Sequence, residues 1–111
     1  MKPHRDLRVL QAAEDMAIDV IGLLDAKPTR LLFRAQLRDS AQGVPSNIGE
    51  AFGRTTVPDR NRVLGIARGE AEEVIRHLKP NYATQRLDLK DYWRLKNRLV
   101  VIIKMLNAIM R

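Results

Sequence analysis

Residues 44–54 read Val-Pro-Ser-Asn-Ile-Gly-Glu-Ala-Phe-Gly-Arg and place a proline inside a segment that otherwise has the pattern of an amphipathic helix. Around Pro45, apolar residues recur every three or four positions, which is the spacing of one helix face: Phe33, Leu37, Ala41, Val44, Ile48, Ala51 and Phe52. Proline has no N–H to donate to the carbonyl of Ala41, and its ring crowds that carbonyl. The sequence therefore predicts one helix bent at Pro45, with Ser46 or Asn47 bonding the freed backbone groups.

The bent helix is the second of four predicted helices and is expected to cover residues 29–52. Thr29, Thr56 and Asp88 each stand just before a helical pattern and are predicted N-caps. Gly53 follows the last apolar residue of the second helix and is expected to close it in the left-handed conformation. The remaining helices are predicted over residues 6–25, 57–84 and 89–110.

A second proline interrupts the third predicted helix. Pro80 either kinks or ends that helix, and because Tyr82 and Ala83 continue the apolar pattern, a kink is expected. The buried stripe of this helix is predicted from its spacing to be Val63, Leu64, Ala67, Ala71, Val74 and Leu78. The corresponding face of the first helix is predicted to be Leu10, Ala13, Ala17, Val20, Ile21 and Leu24.

The fourth helix has the strongest periodicity, with alternating steps of three and four along Tyr92, Leu95, Leu99, Ile102, Leu106 and Ile109. Trp93, Val100 and Ile103 lie off this seam, and Lys104 is the only polar residue in the stretch 99–106. A helix that is apolar on most sides must be buried on more than one of them. The off-seam residues Trp93, Val100 and Ile103 are therefore predicted to form an interface between copies of the chain.

Four helices of about 20 residues, each about 30 Å long and joined by short connections, predict an all-α fold, an antiparallel up-down-up-down four-helix bundle. The 111 residues fit one domain. The absence of cysteine excludes disulfides and thiolate metal sites and fits a reducing cytoplasm. No apolar run approaches the roughly 20 residues of a membrane span, so we expect a soluble cytoplasmic protein.

The charge of the chain favours anionic partners. The net charge is +7 and the isoelectric point is about 10.4. Residues 87–111 alone contain six basic and two acidic side chains, so the fourth helix is the most basic. The side chains predicted to track the phosphates of RNA or DNA are Arg30, Arg34, Arg38, Lys90, Arg94, Arg98 and Lys104.

No pattern in the sequence indicates a reaction, a metal or a cofactor. His77 follows Glu73 by four residues, and a Glu–His contact on one helix face explains this pair better than a metal site does. A di-iron bundle needs two Glu-x-x-His pairs, and His4 is the only other histidine. Ser40 and Ser46 have no histidine nearby to act as a base. The arginine followed by histidine after four to six residues, found in four-helix ribonuclease toxins, is also absent, so we expect a protein that is not an enzyme.

A family resemblance rests on four segments and three single positions: residues 7–13, 36–41, 44–48 and 50–54, with Gly69, Glu73 and Tyr92. In these the chain resembles a four-helix-bundle family whose members include proteins encoded in intervening sequences of bacterial large-subunit ribosomal RNA genes. The chain departs from the family pattern at Leu10, Gly49, Ala51 and Pro80, and its first loop is short.

The resemblance implies a helical bundle that assembles as a ring-like homopentamer and has no established enzymatic activity. A more distant relative in architecture and basic character is the accessory variability determinant of diversity-generating retroelements, which binds nucleic acid. Two functions are therefore left open, a nucleic-acid-binding accessory subunit and a structural or protein-interaction scaffold. The motif residues are expected to form a structural network, although a binding site is the alternative: Arg38, Pro45, Ser46, Asn47, Glu50, Gly53 and Glu73.

Overall fold

The computed structural model describes residues 3–111, which fold into four α-helices without strands. Met1 and Lys2 lie outside the described residues. The bundle measures 44 × 21 × 18 Å, close to the length expected for helices of this size. The predicted all-α four-helix fold is confirmed, with helices α1 (Pro3–Ala26), α2 (Arg34–Phe52), α3 (Val57–Ala83) and α4 (Leu89–Ile109).

Each helix packs against the helices beside it, α1 and α3 both contacting α2 and α4. The loops that follow α1 and α3 therefore lie at one end of the bundle. All six predicted seam residues of α4 and all six predicted stripe residues of α3 are buried. The sequence spacing therefore identified the inner faces of both helices correctly.

The predicted inner face of α1 is partly wrong. Val9 and Met16 are fully buried, whereas Leu10 and Ile21 are only half-buried at the sides of the helix. Positions 9, 13, 16, 20 and 24 are separated by steps of four, three, four and four, which keeps one narrow stripe facing the core. The helix is therefore rotated slightly from the expected orientation.

The predicted start of α2 is also wrong. The helix begins at Arg34, so Thr29 lies in a turn and is not its N-cap. Phe33 occupies the N-cap position with φ at 59°, makes no side-chain cap hydrogen bond and is 43% exposed, so it does not extend the buried stripe. A bulky residue with positive φ costs free energy. Tertiary hydrogen bonds to the preceding residue, Leu32, therefore fix this loop in place of local capping.

The other helix ends agree with the sequence in two cases and differ in one. The Thr56 hydroxyl accepts a hydrogen bond from the Asp59 N–H at 3.3 Å, and the Asp88 carboxylate accepts one from Asp91 at 2.8 Å, as predicted for N-caps. Gly53 has φ at −87° and so is not left-handed. Its N–H bonds the Glu50 carbonyl at 3.1 Å, which closes α2 with a tightened last turn.

Both prolines lie inside their helices. Helix α2 runs through Pro45, and α3 runs through Pro80, so Pro80 does not end α3. The Asn47 amide donates to the Gly43 carbonyl at 2.8 Å, two residues from the Ala41 carbonyl that the proline leaves without its usual donor. A bend at either proline stays a prediction. No helix among the described residues is long and apolar enough to cross a membrane.

Candidate nucleic-acid interface

Two of the three predicted phosphate-binding arginines near α2 bond backbone carbonyls. Arg30 lies in the loop before α2 and not on the helix, and it donates to the carbonyls of Arg86 at 2.8 Å and Gln85 at 2.7 Å. Arg34 donates to the carbonyls of Leu24 at 2.9 Å and Lys27 at 3.1 Å, at the end of α1. The last carbonyls of a helix lack partners within the helix and carry partial negative charge. Both arginines therefore already have strong partners within the fold.

Two further arginines, Arg38 of α2 and Arg60 of α3, also have partners within the fold. Arg38 forms an exposed ion pair with Asp25 at 2.7 Å. Arg60, at the start of α3, donates to the Ile109 carbonyl at the end of α4 at 3.2 Å, and the neighbouring Asn61 amide donates to the Met110 carbonyl. None of the four helices has a basic residue in its own last turn. Arg34, Arg30 and Arg60 thus donate to carbonyls at or just beyond the ends of α1, α3 and α4, respectively.

Asn81 connects the loop after α1 to the loop after α3, and the sequence interpretation missed it. The residue is 0% exposed, and its amide accepts from the Leu32 N–H at 2.7 Å and donates to the carbonyls of Leu32 at 3.1 Å and His77 at 2.9 Å. Its own carbonyl accepts from Arg86 and Leu87. A polar residue three positions after the buried Leu78, on the same stripe, is the signal that could have found it, because buried amides need partners.

On α4, two of the four predicted basic residues are paired with α1. Arg94 bonds both carboxylate oxygens of Asp19, at 2.9 and 3.0 Å, and also Asp91. These hydrogen bonds, with that to Asp19 as the largest contribution, raise the pKa of Arg94. Arg98 lies 3.5 Å from the same Asp19 carboxylate. Asp19 therefore connects α1 to two arginines of α4 and offsets part of the positive charge of α4.

Lys90 and Lys104 remain free on the outer side of α4. Both side chains are exposed, and no carboxylate of the described residues forms an ion pair with either lysine. They are separated by fourteen positions, or about 21 Å along the helix. They lie on the same outer side as the exposed Asn97 and Val101. This face is accessible to an extended anionic partner.

An aromatic cluster borders that face. We call Tyr82, Tyr92, Trp93 and Lys96 the aromatic patch. The Tyr82 ring of α3 stacks on Tyr92 of α4 with centroids 4.5 Å apart and planes within 10°, and Trp93 meets Tyr92 edge-on at 5.4 Å. The Lys96 ammonium lies 4.9 Å from the Trp93 ring centroid and 5.7 Å from that of Tyr92. The sequence interpretation had assigned Trp93 to an oligomer interface and did not anticipate this cluster.

The other predicted interface residues are less accessible than Trp93. Trp93 is 45% exposed, whereas Val100 and Ile103 are half-buried and Ile103 packs against the core. Val101, which was not selected from the sequence, is 52% exposed. It lines an open groove between α1 and α4, together with Ala12, Asp15, Arg94, Asn97 and Arg98. The accessible apolar side chains of α4 therefore include Trp93, Val101 and Leu89, which is 55% exposed at the first position of the helix.

The motif residues form short-range contacts rather than one cluster. Glu50 pairs with Arg54, which also lies 3.4 Å from Asp59, so this network braces the connection from α2 to α3. Ser46 is exposed. Among the described residues, no group of three or more histidine, aspartate or glutamate side chains is arranged to hold a metal ion.

Glu73 also makes only local contacts, both within α3. It bonds Arg76 and lies 3.4 Å from His77 Nε2. The hydrogen bond from Arg76 lowers the pKa of Glu73. The expected Glu–His contact is therefore present. The spacing of Arg68, Glu72 and Arg76 in the sequence predicts ion pairs within α3 through Glu72, and this prediction is wrong, because Arg68 bonds Asn107 of α4 and Arg76 bonds Glu73.

Comparisons with known proteins agree with this architecture. The chain is similar to a solved structure of a protein of unknown function from the S23 ribosomal protein family of Bacteroides thetaiotaomicron, with a TM-score of 0.88 and 23% sequence identity over 96% of this chain and 97% of that one. This likeness concerns the fold. No curated protein matches the chain. The family model described as 23S rRNA-intervening sequence protein matches residues 5–108, so the chain belongs to that family.

Proposed function

We propose that this protein is a non-enzymatic accessory subunit that binds the phosphate backbone of RNA or DNA through the outer face of α4. The observation that carries the proposal is the free pair Lys90 and Lys104 on the most basic helix of a chain with net charge +7. Arg98 adds positive charge to this face, because its Asp19 partner, 3.5 Å away, is shared with Arg94. Arg30 and Arg34 are left out, because a phosphate would have to replace their carbonyl partners.

A salt titration tests the proposal. Binding of labelled single-stranded and duplex oligonucleotides is measured by fluorescence anisotropy between 50 and 200 mM salt, where each phosphate contact is expected to contribute about 0.7 (single strand) or 0.9 (duplex) to the slope of log affinity against log salt. Replacing Lys90 and Lys104 together by glutamine should reduce the slope by about 1.4 on a single strand. Absence of binding at 50 mM salt would show that the proposed function is wrong.

The matched control removes a charge that the fold already uses. Arg34→Gln changes the net charge by the same amount as Lys104→Gln but removes hydrogen bonds to the end of α1. We expect Arg34→Gln to lower thermal stability and leave binding nearly unchanged, and Lys104→Gln to do the reverse. The opposite pattern would show that phosphate binds at the arginines near α2 and not on α4.

The second candidate is a self-associating scaffold, which the exposed apolar side chains of α1 and α4 favour. Leu7 and Ile18 of α1 and Leu89, Trp93 and Val101 of α4 are all exposed. Contiguous exposed apolar patches mark association sites, and assembly would cover these side chains. The family resemblance supports a homopentamer, and an assembled ring would multiply the positive charge of α4, so the two functions are compatible.

Light scattering coupled to gel filtration tests the assembly. A pentamer gives a mass five times the 12.7 kDa of the chain, and a monomer at micromolar concentration would contradict self-association. Val101→Asp should dissociate the assembly while leaving helicity intact, because this side chain points away from the core. Ile103→Asp is a less clean test, since Ile103 also packs against the core.

A further inference from the structure

We propose that the aromatic patch stacks an unpaired nucleobase, which makes single-stranded nucleic acid the preferred ligand of the α4 face. The inference rests on the proposed function and adds a ligand class to it. The patch combines two exposed rings with a cation, whereas phosphate binding alone would require only the lysines. Aromatic rings beside basic side chains are the arrangement by which proteins bind single strands with little sequence preference.

The geometry of the rings supports stacking. Trp93 is 45% exposed and Tyr82 is 36% exposed, so both have surface that a base could cover. Tyr92 is buried and contacts both rings, stacked on Tyr82 and edge-on to Trp93. A buried anchor limits the motion of the exposed rings, so little conformational freedom is lost when a base binds. The platform therefore exists before the ligand arrives.

The charges around the rings favour a polyanion over a second copy of this chain. Lys96 lies over the Trp93 ring, and the exposed Lys90 is three residues from Trp93 on the same helix surface. Both ammonium groups can reach phosphates on either side of a stacked base. A second copy would bring the same basic α4 face, since residues 87–111 carry six basic and two acidic side chains. Bases in a duplex are already stacked and paired, so they cannot use the patch.

Intrinsic fluorescence provides a direct test, because Trp93 is the only tryptophan of the chain. The probes are a fifteen-nucleotide deoxythymidine strand, an abasic strand of the same length and charge, and a duplex. We expect the thymidine strand to quench Trp93 emission and to bind more tightly than the abasic strand. Trp93→Leu should weaken binding of the thymidine strand about fivefold or more, and binding of the abasic strand and of the duplex should not change.

Matched variants separate the patch from general charge. Lys96→Gln and Lys104→Gln remove one charge each, and only the first should reduce the preference for the thymidine strand over the abasic one. Ile66→Ala alters an exposed apolar residue of α3, outside both the patch and the α4 face, and should leave that preference unchanged. Circular dichroism confirms that the Trp93→Leu variant is folded.

Three results would overturn the inference. Equal binding of thymidine and abasic strands without a change in Trp93 emission would remove the stacking role while phosphate binding stands. Absence of binding to all three probes would refute both this inference and the proposed function. A shift of Trp93 emission with protein concentration alone, without any oligonucleotide, would show that a second copy covers the patch.

Discussion

Replacing Asn81 by leucine should destabilise the protein more than any surface substitution. Leucine is similar in size but cannot make the three side-chain hydrogen bonds to Leu32 and His77. The loss falls mainly on the N–H and carbonyl of Leu32, which are left without these partners. At about 1–1.5 kcal/mol for each bond to Leu32, with a smaller loss at His77, the expected cost is about 2–4 kcal/mol. For a chain of this length the corresponding fall in Tm is about 9–17 °C.

Thermal and urea unfolding followed by circular dichroism measure this effect at one fixed protein concentration, since association also raises stability. Asn97→Leu is the matched control, because Asn97 is exposed on α4 and its replacement should change stability by less than about 0.5 kcal/mol. Asn81→Asp keeps the acceptor for the Leu32 N–H and loses both donated bonds. If Asn81→Leu unfolds at the same temperature as the unmodified chain, the buried amide does not hold the loop.

Three further outcomes are expected. In a double-mutant cycle of Arg94→Gln and Asp19→Asn, unfolding free energies should give a coupling of about 0.5–1 kcal/mol, and additive effects would show the pair to be unimportant. Pro45→Ala should disturb the oligomeric state measured by light scattering if the bend is needed for packing, whereas unchanged assembly with a higher Tm would show the proline to be incidental. The pKa of Glu73 is lowered from 4.5, so its contribution to stability is present above pH 4.5 and disappears as the pH falls through the lowered value. Arg76→Gln should raise the Glu73 pKa towards 4.5 in an NMR titration.

The inner faces of α3 and α4 could be predicted from spacing alone because these helices are long and regular. One apolar residue every three or four positions leaves a single solution for the buried side of α4, and that solution is the observed seam. The N-caps Thr56 and Asp88 were equally predictable, since a short polar side chain bonds the N–H three residues later whatever the rest of the fold does.

The start of α2 was not predictable from local signals. Thr29 follows Pro28 and has the chemistry of an N-cap, yet the helix begins five residues later at Arg34. The deciding contacts come from Asn81, about fifty residues further along the chain, which bonds both backbone groups of Leu32. Hydrogen bonds that connect two loops have no periodic pattern in the sequence, and here they outweigh the local preference.

The candidate site shows the same division between local and tertiary determinants. A count of basic residues identified α4 as the most basic helix, and it includes the free lysines Lys90 and Lys104. The same count overstated the α2 arginines, because charge at a sequence position does not reveal its partner. The aromatic patch was missed for a related reason, since Tyr82 and Tyr92 are ten residues apart and stack only when α3 folds against α4.

The distribution of arginine and lysine in the fold follows from the chemistry of helix ends. No helix has a basic residue in its own last turn, so the partial negative charge there must be met from another element. Arg30, Arg34 and Arg60 supply it, and the planar guanidinium suits this task because it can donate to two oxygens at once. A lysine ammonium is more strongly hydrated and stays at the surface, as Lys90 and Lys104 do. Much of the arginine content of this basic chain therefore serves the fold, and the lysines of α4 are the charges best placed to reach a partner.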